Sequence, residues 1–568
     1  MRNLVVLSLM LAGMAQAQAQ TTTWDALVDR FFDQAYFRFN PTAGTSAGFH
    51  QYDAKLEDFS RATLDQQTAV LHQYEREVQG FPAAQLTPEQ SADRELVLGT
   101  IRSALLDLET IREWETNPDN YSSISSNAVF VIMSRTFASQ DERLKSVIAR
   151  ERQMPALFAA ARANLKNPPR IFTEIALEQL PGIVSFFESD VPLAFNAVKD
   201  HALLDQFHQS NAAVIKELHT YEIFLKNDLL PRSKGSFQLG AETFRKKLLY
   251  DEMVDISLDR LLGIGYANLR LNQEAFRATA KKIDPAKSPQ QILDQAEKDH
   301  PAADKLLDAF RNTLTGERDY ITQHRIVTIP SQVMPILEET PPFMRALTSA
   351  SMDTPGPYEK VAKEAFFNVT LPEKSWTPAH VQEHLEAFNR GTITSTSIHE
   401  AYPGHYVQFL WLQSAPSKVR KLLGANSNAE GWAHYCEQMM IDEGFGGGDL
   451  KLRLGQLQDA LLRNARYIVG IQMHTGKMTF DQGIEFFVKE GMQVHSTAVV
   501  ETKRGTSNPT YLYYTLGKLE ILKLREDYRK VRGAAFTLQE FHDNFLKQGY
   551  PPIKIVRRAM LKNDSPVL

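Results

Sequence analysis

The chain contains a single cysteine, Cys436, among 568 residues. No disulfide can form within it, so the fold must be stabilised by burial of apolar side chains instead of by cross-links. The composition permits a large core, because hydrophobic residues make up 43% of the chain and aromatic residues 10%. Cys436 itself lies in a predicted helix, where a buried thiol is the usual role of an isolated cysteine.

The charge distribution excludes some classes of partner. The chain has 63 Lys and Arg against 68 Asp and Glu, a formal net charge of −5. Its basic clusters are short and are not interleaved with aromatic residues, which argues against nucleic-acid binding. Beyond the N-terminus, no stretch reaches the roughly 18 apolar residues of a membrane span.

Residues 1–19 have the features of a secretory signal peptide. Arg2 supplies the positive start, and residues 4–14 form an apolar stretch that is too short to cross a bilayer. Small residues then fit a small-x-small cleavage pattern, and we predict cleavage near Ala17 or Ala19. The mature chain is therefore expected to be exported to the periplasm. The alternative is that residues 1–19 form a buried first helix and are not a signal peptide.

Helical patterns dominate the rest of the chain. A capping box with proline at the first helical position opens at Thr87. Helices are predicted over residues 24–39, 141–165, 200–230 and 258–283, and strands over residues 236–240 and 325–330. Residues 354–357, Thr-Pro-Gly-Pro, look like a linker. We predict a mainly α, two-lobed protein, with an N-terminal helical lobe over 20–330, a C-terminal catalytic lobe over 331–568 and a small β element beside the cleft.

Residues 44–48, Gly-Thr-Ser-Ala-Gly, match the nucleophile elbow of serine hydrolases. That elbow needs a strand before it and a helix after it, on a parallel sheet. No such strand is predicted here, so a simple turn is favoured.

His380, Glu383 and His384 match the inverted zinc motif H-x-x-E-H. Residues four apart share one face of a helix, so both imidazoles could bind one ion. The histidines lie, however, at the side of the buried stripe that is formed by Val381, Leu385 and Phe388. An amphipathic helix with histidines at its edge is therefore favoured over a metal site.

A second metal signature runs from His399 to His405, as His-Glu-Ala-Tyr-Pro-Gly-His. It begins like H-E-x-x-H, in which two histidines bind zinc and the glutamate, here Glu400, acts as base. On a regular helix, six residues would turn His405 about 120° away from His399. Pro403 lacks an N–H and clashes with the preceding turn, so we expect the helix to bulge and bring both imidazoles together.

A third ligand is expected on the segment that follows. Glu430 lies 25 residues beyond His405, and Glu430, His434 and Glu437 fall on one helical face. A carboxylate on a helix that also carries Trp432 is a good third ligand, and His434 and Glu437 are expected to lie behind the ligands. Ordinary surface charges remain the alternative.

Together these motifs resemble the bacterial family known as domain of unknown function 885. The resemblance rests on HEAYPGH at 399–405 followed by Gln408, and on NAEGWAHY at 428–435. Runs near residues 40, 237–242 and 541–543 extend the likeness over the mature chain. Members of this family are regarded as candidate zinc-dependent peptidases that are related to the gluzincins.

The resemblance implies that His399, His405 and Glu430 bind one zinc ion and that Glu400 activates the water. It favours this motif over the H-x-x-E-H helix, and it implies a zincin-like, mainly α metallopeptidase.

The family's C-terminal runs add further candidates. Tyr514 is the first choice, and His474 the second, for the donor that stabilises the oxyanion of the reaction. Three arginines, Arg463, Arg466 and Arg504, could bind a substrate carboxylate, although structural ion pairs are equally expected of them.

We therefore expect a zinc hydrolase that cleaves peptide bonds, mainly of short peptides, with Glu400 as general base. The strand predicted at 325–330 could pair with an extended peptide. Two alternatives stay open: a zinc amidohydrolase that acts on a non-peptide amide or modified metabolite, and a catalytically silent periplasmic binding protein. An intact Glu400 argues against the latter. The mode of cleavage and the oligomeric state are left open by the sequence.

Overall fold

The computed structural model describes residues 23–345 and 348–568. The predicted signal peptide lies outside these ranges. The protein is mainly α, with 71% helix and a small three-stranded sheet, which confirms the predicted mainly α class with a small β element.

Helices occupy most of the chain as far as residue 323. They are α1 Trp24–Phe31, α2 Phe37–Phe39, α3 Pro41–Ser46, α4 Arg61–Gly80, α5 Pro88–Leu106, α6 Glu113–Thr116, α7 Asp119–Met133, α8 Gln140–Glu151, α9 Met154–Asn164, α10 Arg170–Ser185, α11 Val191–Ala194, α12 His201–Phe224, α13 Leu230–Arg232, α14 Ala241–Glu252, α15 Leu258–Ile283, α16 Pro289–Glu297 and α17 Leu306–Gln323.

The predicted helices agree with these bounds to different degrees. The helix predicted at 258–283 is α15 without change, and the capping box at Thr87 opens α5. The helix predicted at 24–39 is α1 and α2, joined by a wide helical turn at Phe32–Tyr36. The segment 141–165, however, is two helices, because the chain leaves the helix at Arg152 and Gln153 between α8 and α9.

The small sheet consists of β1 Ile336–Glu339, β2 Ala350–Asp353 and β3 Phe366–Val369. The strand order is β1-β3-β2, with β1 parallel and β2 antiparallel to the central β3. The β element is thus present, but β2 and not residues 325–330 forms the edge nearest the site. Residues 354–357 lie in the loop between β2 and β3, so they link two strands of one sheet.

The strands predicted at 236–240 and 325–330 are wrong. In the second segment, Ile326 and Val327 are buried in the core, which explains the apolar pattern. Its backbone bonds to side chains instead of to a neighbouring strand: the Thr328 N–H donates to Asp543 at 2.9 Å, and the Trp411 indole donates to the Thr328 carbonyl at 3.0 Å.

The second half of the chain contains the helices α18 Pro378–Ala387, α19 Arg390–Glu400, α20 His405–Trp411, α21 Lys418–Leu422, α22 Asn426–Asp442, α23 Leu450–His474, α24 Phe480–Lys489, α25 His495–Ser507, α26 Tyr513–Arg532, α27 Leu538–Leu546 and α28 Ile553–Leu561. Helix α19 packs along α23, and α22 packs along α26. The second pair crosses at Gly431 and Gly517, where a Cβ on Gly431 would lie 2.6 Å from the Gly517 Cα. Only glycine permits that approach of two backbones.

Apolar cores join the two halves of the chain. One core contains side chains of α14 to α16, such as Phe244 and Leu293, together with side chains of α23 and α26, such as Leu454 and Leu516. Another core combines Trp24 of α1 with Ile555 of α28. Residues from both sides of position 330 therefore share cores, and the division into lobes at that position stays a prediction. Within the described ranges, no helix has the length and apolarity needed to cross a bilayer.

Candidate metal centre

The first two candidate ligands lie on either side of a break between two helices. The Asn389 side chain caps α19 by accepting from the N–H groups of Gly391 and Thr392, and α19 then ends at Glu400. The chain turns through residues 401–404 before α20 begins at His405. The expected bulge is instead a complete break in the helix, because the chain leaves helical geometry at Ala401 and resumes it only at His405.

Gly404 makes this turn possible. Its N–H donates to the Ile398 carbonyl at 3.0 Å, and a Cβ at this position would lie 1.7 Å from the His399 carbonyl oxygen. Trp432 of α22 donates its indole N–H to the Pro403 carbonyl at 2.9 Å. The turn brings the His399 and His405 rings to 4.9 Å between centres, with their planes 88° apart.

Glu430 of α22 completes a group of three converging side chains. Its Oε2 lies 3.2 Å from His399 Nε2 and 3.3 Å from His405 Nε2. All three ligand atoms lie within 4.8 Å of one another, the only such group found within the described residues. Ligands that are 2.0–2.2 Å from one tetrahedral zinc ion lie about 3.3 Å apart. The distances from Glu430 to both histidines match this spacing, and imidazoles with a carboxylate are ligands that zinc takes, so the three side chains fit a zinc ion.

Glu437, about two helical turns further along α22, lies behind the site. Its Oε1 is 2.7 Å from His399 Nδ1, and its Oε2 is 2.9 Å from His434 Nδ1. Arg463 of α23 approaches the same carboxylate at 3.3 Å. A carboxylate on Nδ1 orients the imidazole so that Nε2 faces the ligand position, an arrangement typical of metal-binding histidines. The hydrogen-bond partner of the His434 ring is Glu437, so His434 acts on the site only through that carboxylate.

The charged side chains of this group shift one another's pKa values. Burial favours the neutral imidazole of His399, but hydrogen bonds to Glu430 and Glu437 outweigh it and raise the pKa of His399 to about 9. Burial disfavours the Glu430 carboxylate, yet the neighbouring His405 and His399 hold its pKa well below the usual range. Binding of a metal ion requires loss of the proton on His399, so binding is expected to weaken as the pH falls.

These side chains line a cleft of about 1070 Å³. Glu400, which follows the first histidine, is 8% exposed and lines the same cleft. The same cleft is also lined by Ser349 and Ala350–Met352, at and within β2, and by the α18 side chains of His380 and His384.

Tyr514 also lines the cleft, in the first turn of α26. Its ring centre is 6.2 Å from that of His399, and its hydroxyl accepts a hydrogen bond of 2.8 Å from Arg504. The two other candidate arginines form ion pairs: Arg466 binds both oxygens of Glu501, and Arg463 contacts Glu437 and Asp459.

His474 does not face the cleft. It lies 11 residues beyond Arg463 on α23, which is about 16 Å along the helix. Its Nε2 is 2.8 Å from the Gly505 carbonyl, and its ring packs on Phe237 and Phe244. Burial lowers the pKa of His474 to about 4. The structure therefore places this second-choice donor in the core, away from the reacting groups.

The H-x-x-E-H helix forms as predicted, but its histidines have other partners. The His380 ring stacks on Trp376 at 4.0 Å between centres, and His384 Nε2 lies 2.8 Å from the Thr370 carbonyl. Neither histidine belongs to the converging group. The sequence did not predict that this helix and β2 line the same cleft as the ligands, because nothing in either segment indicates which of its faces borders a cleft.

The glycine-rich segment 44–48 forms the end of α3 and a turn, and no strand precedes it within the described part of the chain. Thr45 is buried and donates to Asp53 at 2.8 Å. The geometry is thus a turn and not a nucleophile elbow.

Comparisons with known proteins identify a family and a fold. The family described as "Bacterial protein of unknown function (DUF885)" matches residues 41–560. Two solved structures share the fold: a candidate lipoprotein of unknown function from Shewanella oneidensis (26% identity, TM-score 0.77, covering 95% of this chain and 100% of that chain) and a candidate lipoprotein from Colwellia psychrerythraea (18% identity, TM-score 0.78, covering 94% and 98%). No functionally curated protein matches this chain.

Proposed function

Because the chain belongs to the DUF885 family, whose description assigns no activity, we propose a function from the site itself. The protein is a zinc-dependent peptidase that hydrolyses peptide bonds, mainly of short peptides, within the cleft. His399, His405 and Glu430 hold one zinc ion, and Glu400 is the general base.

One observation carries this proposal: three ligand atoms converge within 4.8 Å beside a carboxylate that is not a ligand. A binding protein needs the ligands but has no use for an additional carboxylate at the site. The Glu437 carboxylate on His399 Nδ1 adds the outer support that catalytic zinc sites typically have.

A bound zinc ion would supply Lewis acidity and lower the pKa of a water molecule to about 7. The Glu400 carboxylate accepts the proton of the attacking water and delivers it to the nitrogen of the leaving amine. The burial of Glu400 to 8% exposure keeps bulk water away from this proton transfer.

Tyr514 is the donor to the carbonyl oxygen of the scissile bond. Its hydroxyl oxygen accepts from Arg504, and within the described ranges no acceptor takes the hydroxyl's own proton. That proton is therefore free to donate to the oxygen on which negative charge develops. The adjacent guanidinium groups favour negative charge at this position.

The β2 strand supports a peptide as the substrate. It lies at the edge of the sheet, it contacts α19, and Ser349–Met352 line the same cleft as the ligands. An exposed strand edge can hydrogen-bond to an extended peptide main chain. We therefore assign peptide pairing to β2 in place of residues 325–330, which do not form a strand.

We also propose that the protein is exported. The similar structures are described as candidate lipoproteins, and the N-terminal sequence has the pattern of a signal peptide. Sequencing the N-terminus of the mature protein tests the predicted cleavage near Ala17 or Ala19.

The test of the activity is mass-spectrometric mapping of the products from a mixed peptide library. We expect the zinc-loaded protein to cleave peptides and Glu400→Gln to lose about 10²–10⁴-fold in rate while it retains the metal. Glu383→Gln, in the H-x-x-E-H helix, is the matched control and should cleave normally. Cleavage that persists in Glu400→Gln would contradict the mechanism.

A further inference from the structure

Three arginines surround the ring of Tyr514 in the wall of the cleft. The guanidinium carbons of Arg463, Arg466 and Arg504 lie 6.0, 4.7 and 5.8 Å from the ring centre. Two come from α23 and one from α25. They differ in whether a carboxylate of the protein pairs with the guanidinium group, and this difference indicates which arginine can bind a ligand.

Arg463 and Arg466 have anionic partners. Arg466 donates to both oxygens of Glu501, at 2.5 and 2.8 Å. Arg463 lies 3.3 Å from Glu437 and 3.1 Å from Asp459. Both guanidinium groups are thus used within the protein and are poorly available to a substrate.

Arg504 has no such partner. No carboxylate of residues 23–345 or 348–568 lies within 4.0 Å of its guanidinium, whose hydrogen bond in those ranges goes to the Tyr514 hydroxyl. Residues 1–22 and 346–347 contain no Asp or Glu. A guanidinium has five N–H donors, so most of those on Arg504 are available, and the side chain lines the cleft. A partly buried, unpaired cation is costly and favours binding of an anion.

The surroundings of Arg504 favour binding of the end of a substrate peptide over binding of its middle. Around it, Glu501, Thr502, Gly505 and Thr506 of α25 are buried, so the wall behind it is closed. The Tyr514 ring lies between the Arg504 guanidinium and the His399 ring. Its centre is 5.8 Å from the guanidinium carbon and 6.2 Å from the centre of the His399 ring. Extended peptide spans about 3.3–3.6 Å per residue, so this gap accommodates no more than about three residues.

We propose that Arg504 binds the free C-terminal carboxylate of a peptide and thereby directs cleavage to a bond one to three residues from the C-terminus. A guanidinium binds a carboxylate through two parallel hydrogen bonds. This inference rests on the proposed peptidase function for the cleavage, but the carboxylate site itself can be tested by binding alone.

The experiment compares peptides of one sequence that carry a free or an amidated C-terminus. Binding is measured by calorimetry on the zinc-loaded Glu400→Gln protein, and cleavage sites are mapped with the active protein. We expect the free acid to bind about 10- to 100-fold more tightly than the amide. Adding Arg504→Gln should remove this preference and Arg504→Lys should reduce it, whereas Arg277→Gln, on the exposed face of α15, should leave it intact.

Several results would overturn the inference. Equal binding of acid and amide would do so, as would an Arg504→Gln variant that weakens both equally, because Arg504 would then only position Tyr514. Tight binding of an amidated peptide with an internal Asp or Glu would assign the site to side-chain carboxylates. If Arg504→Gln does not fold, the preference in Arg504→Lys decides. Selective binding of the acid without any cleavage would support the carboxylate site and contradict the proposed peptidase function.

Discussion

Two motifs that line the cleft each contain two histidines and one glutamate. In α18, His380 and His384 have the regular spacing of a helical zinc motif, yet they contact Trp376 and the Thr370 carbonyl. Between α19 and α20, the spacing of His399 and His405 is wrong for a regular helix, yet both imidazoles reach Glu430 at 3.2 and 3.3 Å.

The difference teaches that spacing alone does not make a metal site. The α18 histidines share a face, but within residues 23–345 and 348–568 they have no third ligand, and no carboxylate hydrogen-bonds to either ring. The α19–α20 histidines obtain both from α22, which is positioned by its close crossing with α26 at Gly431 and Gly517. A helical break that looks unfavourable in sequence is what allows the imidazoles to converge.

The largest expected effect comes from removing a ligand. His405→Ala should lose bound zinc almost completely, whereas His384→Ala should retain about one ion per chain, because only the first change leaves two ligands in place of three. Elemental analysis by mass spectrometry of the purified proteins measures both. Zinc loss in His384→Ala with retention in His405→Ala would transfer the site to α18.

The break itself can be tested next. Gly404→Ala places a Cβ 1.7 Å from the His399 carbonyl oxygen, so we expect a loss of about 3 kcal/mol or more in the free energy of unfolding. Gly263→Ala, in the middle of α15 with no atom within 4 Å of the added Cβ, should instead stabilise the protein by up to about 1 kcal/mol. Denaturant titration of the metal-free proteins compares them, and equal stabilities would show that the turn tolerates a side chain.

The smallest effect should come from the carboxylate behind the site. Glu437→Gln removes the charge that faces His399 Nδ1, and we expect zinc affinity to fall about 10- to 100-fold. Glu386→Gln, on α18, is the matched control and should bind zinc as the unmodified protein does. Competition with a chelator of known affinity measures the change. An unchanged affinity in Glu437→Gln would mean that the ligands need no outer support.

Local signals were reliable wherever the interaction was local. The cap at Thr87, the bounds of α15 and the candidate ligands could all be predicted, because capping, helical periodicity and ligand chemistry depend on neighbouring residues. The strands could not be predicted. Each has four residues, with no alternation that distinguishes it, and the apolar pattern at 325–330 reflects burial without strand pairing.

The roles of His474 and of the three arginines depend on which side chains the fold brings close to them. His474 is in the same sequence region as Arg463 and Arg466, but three helical turns carry it away from the cleft. Of the three candidate arginines, the sequence could not indicate which would be paired, because Glu501 and Glu437 reach Arg466 and Arg463 from other helices.

By itself, the sequence determined the helical character of the chain, the absence of any internal disulfide and the set of residues that can bind a metal ion. Only the tertiary structure decided which histidines converge, which arginine lacks a partner and which strand edge faces the cleft. The physical reason is that helix formation and ligand chemistry are encoded within a few residues, whereas convergence depends on how closely distant helices can pack.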